Sequence, residues 1–250
     1  MSKGRLGWTL VAAALAAPAA AQIPDRFTNL KVLSEDIAKP QLVALMREYA
    51  TALGVRCNHC HVGESATSLE GFDFAADDKE PKRVAREMMR MVRAINREHL
   101  PRTGRKELTE VGCVTCHRGL TDPRSLLEIL RVEVAQKGVE AALARYRELR
   151  AEHLEDGAYD FGERTLSGLA ETLARERRDL AGAVAVTRVR VELHPRSTFA
   201  HHALGELLLE LGERDAALAS FRKAVEVDPE NRFAREWIRS LTPTEGESEP

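Results

Sequence analysis

Two pentapeptides of the form C-x-x-C-H constrain this chain more than any other feature. They are Cys57–His61 and Cys113–His117, and together they contain all four cysteines of the 250 residues. The pattern is typical of covalent haem attachment in c-type cytochromes. Two cysteines three positions apart reach the two vinyl groups on one edge of a porphyrin, and the next histidine reaches the iron. The sequence therefore predicts two covalently bound haem c groups, attached through Cys57, Cys60, Cys113 and Cys116 and ligated by His61 and His117.

Three other uses of paired cysteines remain as alternatives. Structural zinc sites built from two pairs usually have about 15–20 residues between the pairs, whereas 52 residues separate Cys60 from Cys113, and zinc does not require a histidine after each pair. A dithiol redox motif lies in a βαβ setting, which this helical sequence lacks. Two structural disulfides are compatible with an exported chain. Haem attachment is the preferred interpretation.

The composition favours helices. Hydrophobic residues make up 44% of the chain and charged residues 30%, which is enough apolar surface for a folded core. Aromatic residues make up only 5%, and the chain is rich in alanine, leucine, arginine and glutamate, so we expect an all-α fold. The 37 basic and 39 acidic residues nearly balance, which gives no reason to expect nucleic acid or an anionic membrane as a partner.

The first 21 residues have the order of a secretory signal peptide. Lys3 and Arg5 precede an apolar run from Trp8 to Ala17, and small residues follow up to Ala21. The run is shorter than the roughly 20 residues that a membrane-spanning helix needs. We expect cleavage near Ala21 and a periplasmic protein.

The remaining chain divides by residue type. All cysteines, and every methionine after the first residue, lie before residue 125. A turn-forming cluster, Thr121–Pro123, follows the second motif. The predicted organisation is a dihaem cytochrome c domain over 22–124, a tetratricopeptide-like helical repeat domain over 125–242 and a flexible tail over 243–250.

The repeat domain is predicted from a 34-residue period. Pro195 and Pro229 are one period apart, and the unit that ends at Pro229 matches the tetratricopeptide pattern. The matching positions are Leu204, Gly205, Leu208, Ala217, Phe221, Ala224 and Pro229. A degenerate copy with one extra residue covers about 164–195. A further helical pair across 125–158 and a capping helix across 231–241 complete the predicted stack.

Each motif follows a predicted helix that carries methionine. The first covers 41–53, with Pro40 at its start, Gly54 at its stop and Met46 on its apolar face. The second runs from Glu80 to His99, ends at Pro101 and carries Met88, Met89 and Met91. A methionine thioether closes a haem iron in many electron-transfer cytochromes. Met46 is the candidate for the first iron, and either Met88 or Met91 for the second; the alternative is that these methionines fill the core.

Longer strings around the motifs resemble the cytochrome c subunit of photosynthetic reaction centres. The similar stretches are Phe27–Leu33, the Met46 helix with Leu53-Gly54 and its motif, Val84–Asn96, and Val114–Gly119, so the resemblance covers about residues 25–122. It implies a unit of helix, turn and motif, with Met46 and Met88 as ligands. The best-known members bind four haems, whereas this chain has two motifs, and Arg102 stands where the family takes a histidine ligand for its fourth haem. The resemblance therefore implies a dihaem electron-carrier unit.

Five arginines lie on one stripe of the second helix. They are Arg83, Arg86, Arg90, Arg93 and Arg97. They are candidates for pairing with haem propionates or for a basic patch that steers an acidic redox partner. The alternative is a solvated helix face.

The combined prediction is an electron-transfer protein and not an enzyme. Its axial pairs are His61 with Met46 and His117 with Met88, and no side chain acts as acid, base or nucleophile. We expect a membrane-bound or periplasmic electron donor and acceptor as redox partners, and a protein partner on the helical repeats. The alternatives are a peroxidase-like dihaem enzyme or a haem-based sensor, in which one iron keeps an open position.

Overall fold

A computed structural model describes residues 23–105, 107 and 109–242. The predicted signal peptide and the predicted tail lie outside the described residues. Within these ranges the chain is helical and has no strand; a single isolated bridge joins Val62 to Asp73. The all-α prediction is confirmed. In the part of the chain that is described, no helix is both long and apolar enough to cross a membrane.

The first unit contains two long helices and two one-turn helices at the motifs. With the π-helical turn and the three-residue helix that follow α3, the elements in chain order are α1 (Lys39–Leu53), α2 (Cys57–Cys60), α3 (Glu80–Ala94), a π-helical turn (Ile95–His99), α4 (Leu100–Arg102) and α5 (Cys113–His117). The first helix ends at Leu53 as predicted and begins at Lys39, two residues before the predicted start. Pro40 lies in its first turn, and Gly54 adopts the left-handed conformation, with φ of 66°, and donates to the carbonyls of Ala50 and Thr51.

The predicted stop at Pro101 is wrong by one residue. Helical structure continues through Pro101 to Arg102. The cause is the π-helical turn, in which the Leu100 N–H bonds to the carbonyl of Ile95, five residues back. The wider turn makes Pro101 an early residue of a new helical segment, a position where a proline does not need an N–H donor.

The second unit is a stack of helical hairpins. Its helices are α6 (Leu126–Lys137), α7 (Val139–His153), α8 (Glu163–Glu171), α9 (Leu180–Leu193), α10 (Thr198–Glu210), α11 (Arg214–Val227) and α12 (Arg232–Leu241). Helices α6 and α7, α8 and α9, and α10 and α11 pack as pairs, and α12 packs on α11. The extra residue of the degenerate copy is accommodated because α8 continues into a π-helical turn, Thr172–Glu176; a π turn is the usual form of a one-residue insertion in a helix.

Buried side chains are concentrated in this second unit. One apolar cluster joins α6 to α9, and another joins α10 to α12. Gly205 is required in the second cluster because a Cβ there would lie 2.6 Å from the ring of Phe221. Among residues 23–105, 107 and 109–116, in contrast, only Leu42, Ala52 and Lys82 are buried.

The chain divides into its two compact units between Cys116 and His117. This division lies inside the second C-x-x-C-H motif. The predicted domain limits, 22–124 and 125–242, remain predictions.

Candidate haem-attachment sites

The first motif forms a single helical turn. Cys57 is exposed and Cys60 is half-buried, and their i,i+3 spacing in α2 places both on one side of the turn. His61 ends the helix with extended backbone, and its N–H donates to the carbonyl of Cys57 at 3.0 Å. Two thiols and an imidazole therefore project from one short turn, as the attachment of one porphyrin edge requires.

The second motif forms the same kind of turn in α5. The N–H of Gly112 donates to the hydroxyl of Thr115 at 3.0 Å, which stabilises the start of the turn. Nδ1 of His117 lies 2.7 Å from the carbonyl oxygen of Leu120. Because a carbonyl can only accept, Nδ1 carries the proton and Nε2 has a free lone pair. This tautomer, fixed by a carbonyl at the far nitrogen, is typical of a metal-ligating histidine.

The ring of His61 packs against aromatic side chains. Its ring meets the ring of Phe74 edge to face, with centroids 5.1 Å apart, and Phe72 lies 5.4 Å from Phe74. Its Nδ1 is buried and makes no hydrogen bond within the described residues. Burial lowers the pKa of His61, and the charge of Lys82 lowers it further. The imidazole is therefore kept neutral, which is the form that binds iron.

The candidate methionine ligands differ in exposure. Met46 is half-buried on α1. Met88 is 39% exposed and Met91 49% exposed, and they form an open apolar stripe on α3 with Val84. An exposed stripe of large apolar side chains is a surface that another group covers, and a porphyrin face is such a group. The pairing of each methionine with a histidine remains a prediction.

The Met88 helix is tied to the second motif. The side-chain amide of Asn96, in the π-helical turn after α3, donates to the carbonyl of Val111 and accepts from the N–H of Val111, both at 2.8 Å. Val111 is two residues before Cys113. The position of the second motif therefore depends on the helix that carries Met88.

The second motif also lies near α1. Burial raises the pKa of the Cys113 thiol, and the neighbouring Glu48 carboxylate raises it further. Burial also raises the pKa of Tyr49, and the charge of Cys113 adds to this. Tyr49 is one turn beyond Met46 on the same helix face. Helix α1 therefore carries the candidate ligand of the first haem and contacts the surroundings of the second.

The arginine stripe has a structural role that the sequence did not predict. Arg86 donates to the carbonyl of Asn29 at 3.0 Å, and Arg93 donates to that of Val32 at 2.8 Å. These contacts hold the segment before α1 against α3. Arg90 instead pairs with Glu87 at the surface. Arg83 also donates to a main-chain carbonyl, that of Asp77 at 2.7 Å. Three of the five arginines thus bind main chain, so the stripe is not simply a free surface for haem propionates or a partner.

Sequence reasoning missed the segment between the first motif and α3. Phe72 and Phe74 enclose His61, and Gly63 is required beneath them because a Cβ there would lie 2.4 Å from the Phe72 ring. Asp77 accepts a hydrogen bond from Lys31 at 2.8 Å, and its other carboxylate oxygen forms an ion pair with Arg86 at 2.8 Å. The only sequence signal was the pair of phenylalanines in a chain with few aromatic residues.

The four cysteines are neither paired in disulfides nor gathered in a metal-binding cluster of the described residues. All four are free thiols. Within the described ranges, no group of three or more histidine, cysteine, aspartate or glutamate residues is arranged to hold a metal ion. The motifs remain as two separate turns, each with its own histidine, and this donor set fits a covalently attached haem.

Comparison with known proteins gives the family. The sequence model of the photosynthetic reaction centre cytochrome C subunit matches residues 9–151, more than half of the chain. The chain belongs to this family. Since the family is one of c-type cytochromes, membership implies covalently bound haem c. A tetratricopeptide repeat model matches residues 198–231, so this family member also carries a tetratricopeptide repeat, as predicted.

Individual similar proteins match smaller parts of this chain than the family model does. Cytochrome c-554 from Chloroflexus aurantiacus is 33% identical over 90 residues, which are 36% of this chain and 20% of the relative. The chain thus matches about a fifth of that protein's length. A solved structure, the first tetratricopeptide domain of Spaghetti (RPAP3) bound to an HSP90 peptide, covers 46% of this chain and 86% of its own, at 18% identity and a TM-score of 0.32.

Proposed function

We propose that this member of the cytochrome c subunit family is a periplasmic dihaem c-type cytochrome that carries electrons between redox partners. One observation carries the proposal: two separate C-x-x-C-H motifs each form a short helical turn that brings two thiols and a histidine together. In His117 the tautomer is set by the carbonyl of Leu120, and in His61 burial favours the neutral ring. Each motif has its own methionine-bearing helix upstream.

The roles of the side chains follow from their chemistry. The thiols of Cys57, Cys60, Cys113 and Cys116 would add across the vinyl groups, so that each sulfur forms a carbon–sulfur bond and the thiol proton goes to the neighbouring vinyl carbon. His61 and His117 would each offer Nε2 to one iron, and Met46 and Met88 would close the opposite faces. Haem bound in this way supplies a one-electron couple. The protein holds the iron, excludes water from it and moves no proton.

The proximity of the two motifs supports transfer between them. Helix α1 carries Met46 and, one turn later, Tyr49, whose pKa is raised by burial and by the nearby Cys113. The end of α3 is joined to the segment before Cys113 by Asn96. The four attachment cysteines lie in one compact unit, so both haems would be attached within it. The two haems would supply the one-electron couples through which this unit carries electrons.

The helical repeats are proposed to dock a protein partner. Stacked helical hairpins of this kind present an extended surface to other proteins. Electron donor and acceptor would be periplasmic or membrane-bound proteins, and the repeats would bind one of them.

The test is an optical and mass measurement on protein matured with haem in a periplasmic host. We expect a mass increase of two haems per chain and a low-spin spectrum, after reduction with dithionite, that carbon monoxide does not change. The matched control is the double variant Cys113→Ser/Cys116→Ser, which should carry one haem. Wild-type protein with no covalent haem, or with one, would refute the dihaem proposal.

A second candidate function is a peroxidase-like dihaem enzyme or a haem-based sensor. It is favoured by the exposure of Met88 and Met91, since neither side chain is packed in place. In that case the second iron would have an open position. A carbon monoxide shift in one haem of the wild-type protein would support this candidate and would contradict simple electron transfer.

A further inference from the structure

Lys82 is an unusual residue of the first unit because its charged side chain is buried. It is 9% exposed, and it is the only charged residue among the buried side chains described between residues 23 and 116. A buried ammonium group is costly unless its three donors are satisfied. The position of Lys82 therefore requires hydrogen-bond acceptors close to its ammonium group.

The partners of Lys82 are consecutive main-chain carbonyls. Its Nζ donates to the carbonyl oxygens of Phe74 at 2.9 Å, Ala75 at 3.0 Å and Ala76 at 2.6 Å. It also lies 3.3 Å from a carboxylate oxygen of Asp77. Four successive residues of the segment before α3 therefore curve around one ammonium group. Because one ammonium group binds three successive carbonyls, Lys82 stabilises this course of the segment.

The segment determines in turn where the ring of His61 lies. Phe74, the first of the three carbonyl residues, contacts the imidazole edge to face at 5.1 Å. His117 has a hydrogen bond from Nδ1 to the carbonyl of Leu120 that fixes its ring. His61 has no such bond within the described residues. Packing against Phe74 is therefore what orients the His61 imidazole.

We propose that Lys82 is a positioning residue for His61 and that it sets the reduction potential of the haem attached through Cys57 and Cys60. It acts through the Phe74–Ala76 carbonyls, which hold the ring of Phe74 against the imidazole. Its buried positive charge also disfavours the more positive ferric state of a neighbouring iron. This inference rests on the proposed function, because it takes His61 to be an axial ligand.

The test is Lys82→Met in the haem-loaded full chain. Methionine keeps the length of the side chain but removes the charge and all three donors. Redox titration should show one midpoint potential shifted to a lower value and the other unchanged. The low-spin electron paramagnetic resonance signal of the same haem should broaden, because its histidine adopts more than one orientation. NMR assigns the affected haem: its paramagnetically shifted protons should show nuclear Overhauser contacts with the ring protons of Phe74, which places it at the first motif.

Arg90→Met is the matched control. Arg90 lies on the same helix, carries the same charge and pairs only with Glu87 at the surface. Its removal should leave both potentials and both resonance signals as in the wild type. An equal shift in this variant would mean that net charge alone is responsible, and it would overturn the positioning role.

A second variant keeps the proposal testable if Lys82→Met does not fold. Phe74→Leu removes the aromatic contact and leaves the Lys82 charge in place, so the signal of the first haem should broaden with a smaller change in potential. Unchanged signals in both Lys82→Met and Phe74→Leu would overturn the proposal and leave the dihaem function intact. A wild-type protein without haem on the first motif would refute the proposed function itself.

Discussion

The side chain of Asn96 forms a pair of hydrogen bonds with the main chain of Val111, one in each direction and each 2.8 Å long. The pair spans fifteen residues of sequence and fastens the end of the Met88 helix to the chain just before Cys113. An amide side chain is suited to this role because it has both a donor and an acceptor on one planar group.

Replacing Asn96 by leucine should loosen the second haem site. Two hydrogen bonds worth roughly 0.5–1.5 kcal/mol each are lost, so the free energy of unfolding should fall by about 1–3 kcal/mol. Denaturant unfolding of the haem-loaded protein measures this loss. Glu98→Ala, an exposed change two residues away, is the control and should have little effect. Equal stability of the two variants would show that the pair contributes nothing.

Met88→Leu and Met91→Leu distinguish the two candidate ligands of the second iron. Leucine is similar in volume but cannot ligate, and the family resemblance places the ligand at Met88. Met88→Leu should therefore let carbon monoxide bind one of the two reduced haems, whereas Met91→Leu should leave the spectrum unchanged. The optical difference spectrum gives the result directly. The reverse pattern would assign the ligand to Met91.

The repeat unit should lose stability in acid through Glu163. Burial raises the pKa of this carboxyl, but the hydrogen bonds from Ser197 and Arg190 lower it by more, so the net shift is downward. A lowered pKa in the folded state means that the stabilisation is complete above the ordinary value of 4.5 and is lost as the pH falls through the folded-state pKa. At neutral pH, Glu163→Gln should cost about 1.5–3 kcal/mol, as for hydrogen bonds to a charged group.

The pH dependence provides the check on Glu163. Urea midpoints of the wild type and of Glu163→Gln, followed by helical circular dichroism, should differ most near pH 7 and should converge as the pH falls below the ordinary glutamate value. A difference that is constant with pH would mean that the charge of Glu163 is not involved.

Gly205→Ala tests the close approach of α10 and α11. The added Cβ would lie 2.6 Å from the Phe221 ring, and this ring is fully buried and stacks on Trp237. Overpacking of this kind typically costs about 1–3 kcal/mol, and thermal unfolding of the repeat helices measures it. Glu210→Ala, at an exposed position of the same helix, should have a much smaller effect. A thermal unfolding midpoint equal to that of the wild type would show that α10 and α11 can move apart to accommodate the Cβ without loss of stability.

Patterns that depend on side-chain identity were predictable from the sequence. Pro40 and Gly54 mark the ends of α1, and the 34-residue period with Gly205 and Phe221 predicts the α10–α11 pair. The family and the repeat were both predicted on this basis.

Features that depend on main-chain atoms could not be predicted in this way. The carbonyls that bind Lys82 belong to a phenylalanine and two alanines, and the sequence does not reveal that these oxygens point at one ammonium group. The contacts of Arg86 and Arg93 with main-chain oxygens have the same origin, so the arginine stripe was interpreted as a free surface. The helical position of Pro101 also depends on main-chain geometry. The π-helical turn before it places the proline at the start of a new helical segment, where its missing N–H is not needed.

The scarcity of buried side chains in the first unit has a consequence inside the cell. With only Leu42, Ala52 and Lys82 buried in its described part, this unit has too little apolar core to be stable alone, and the porphyrins must provide most of it. Maturation and folding then become one event. When the supply of haem is limiting, newly made chains should have a well-packed repeat unit and an open first unit that proteases degrade. The amount of this protein should therefore follow the amount of haem available during its maturation.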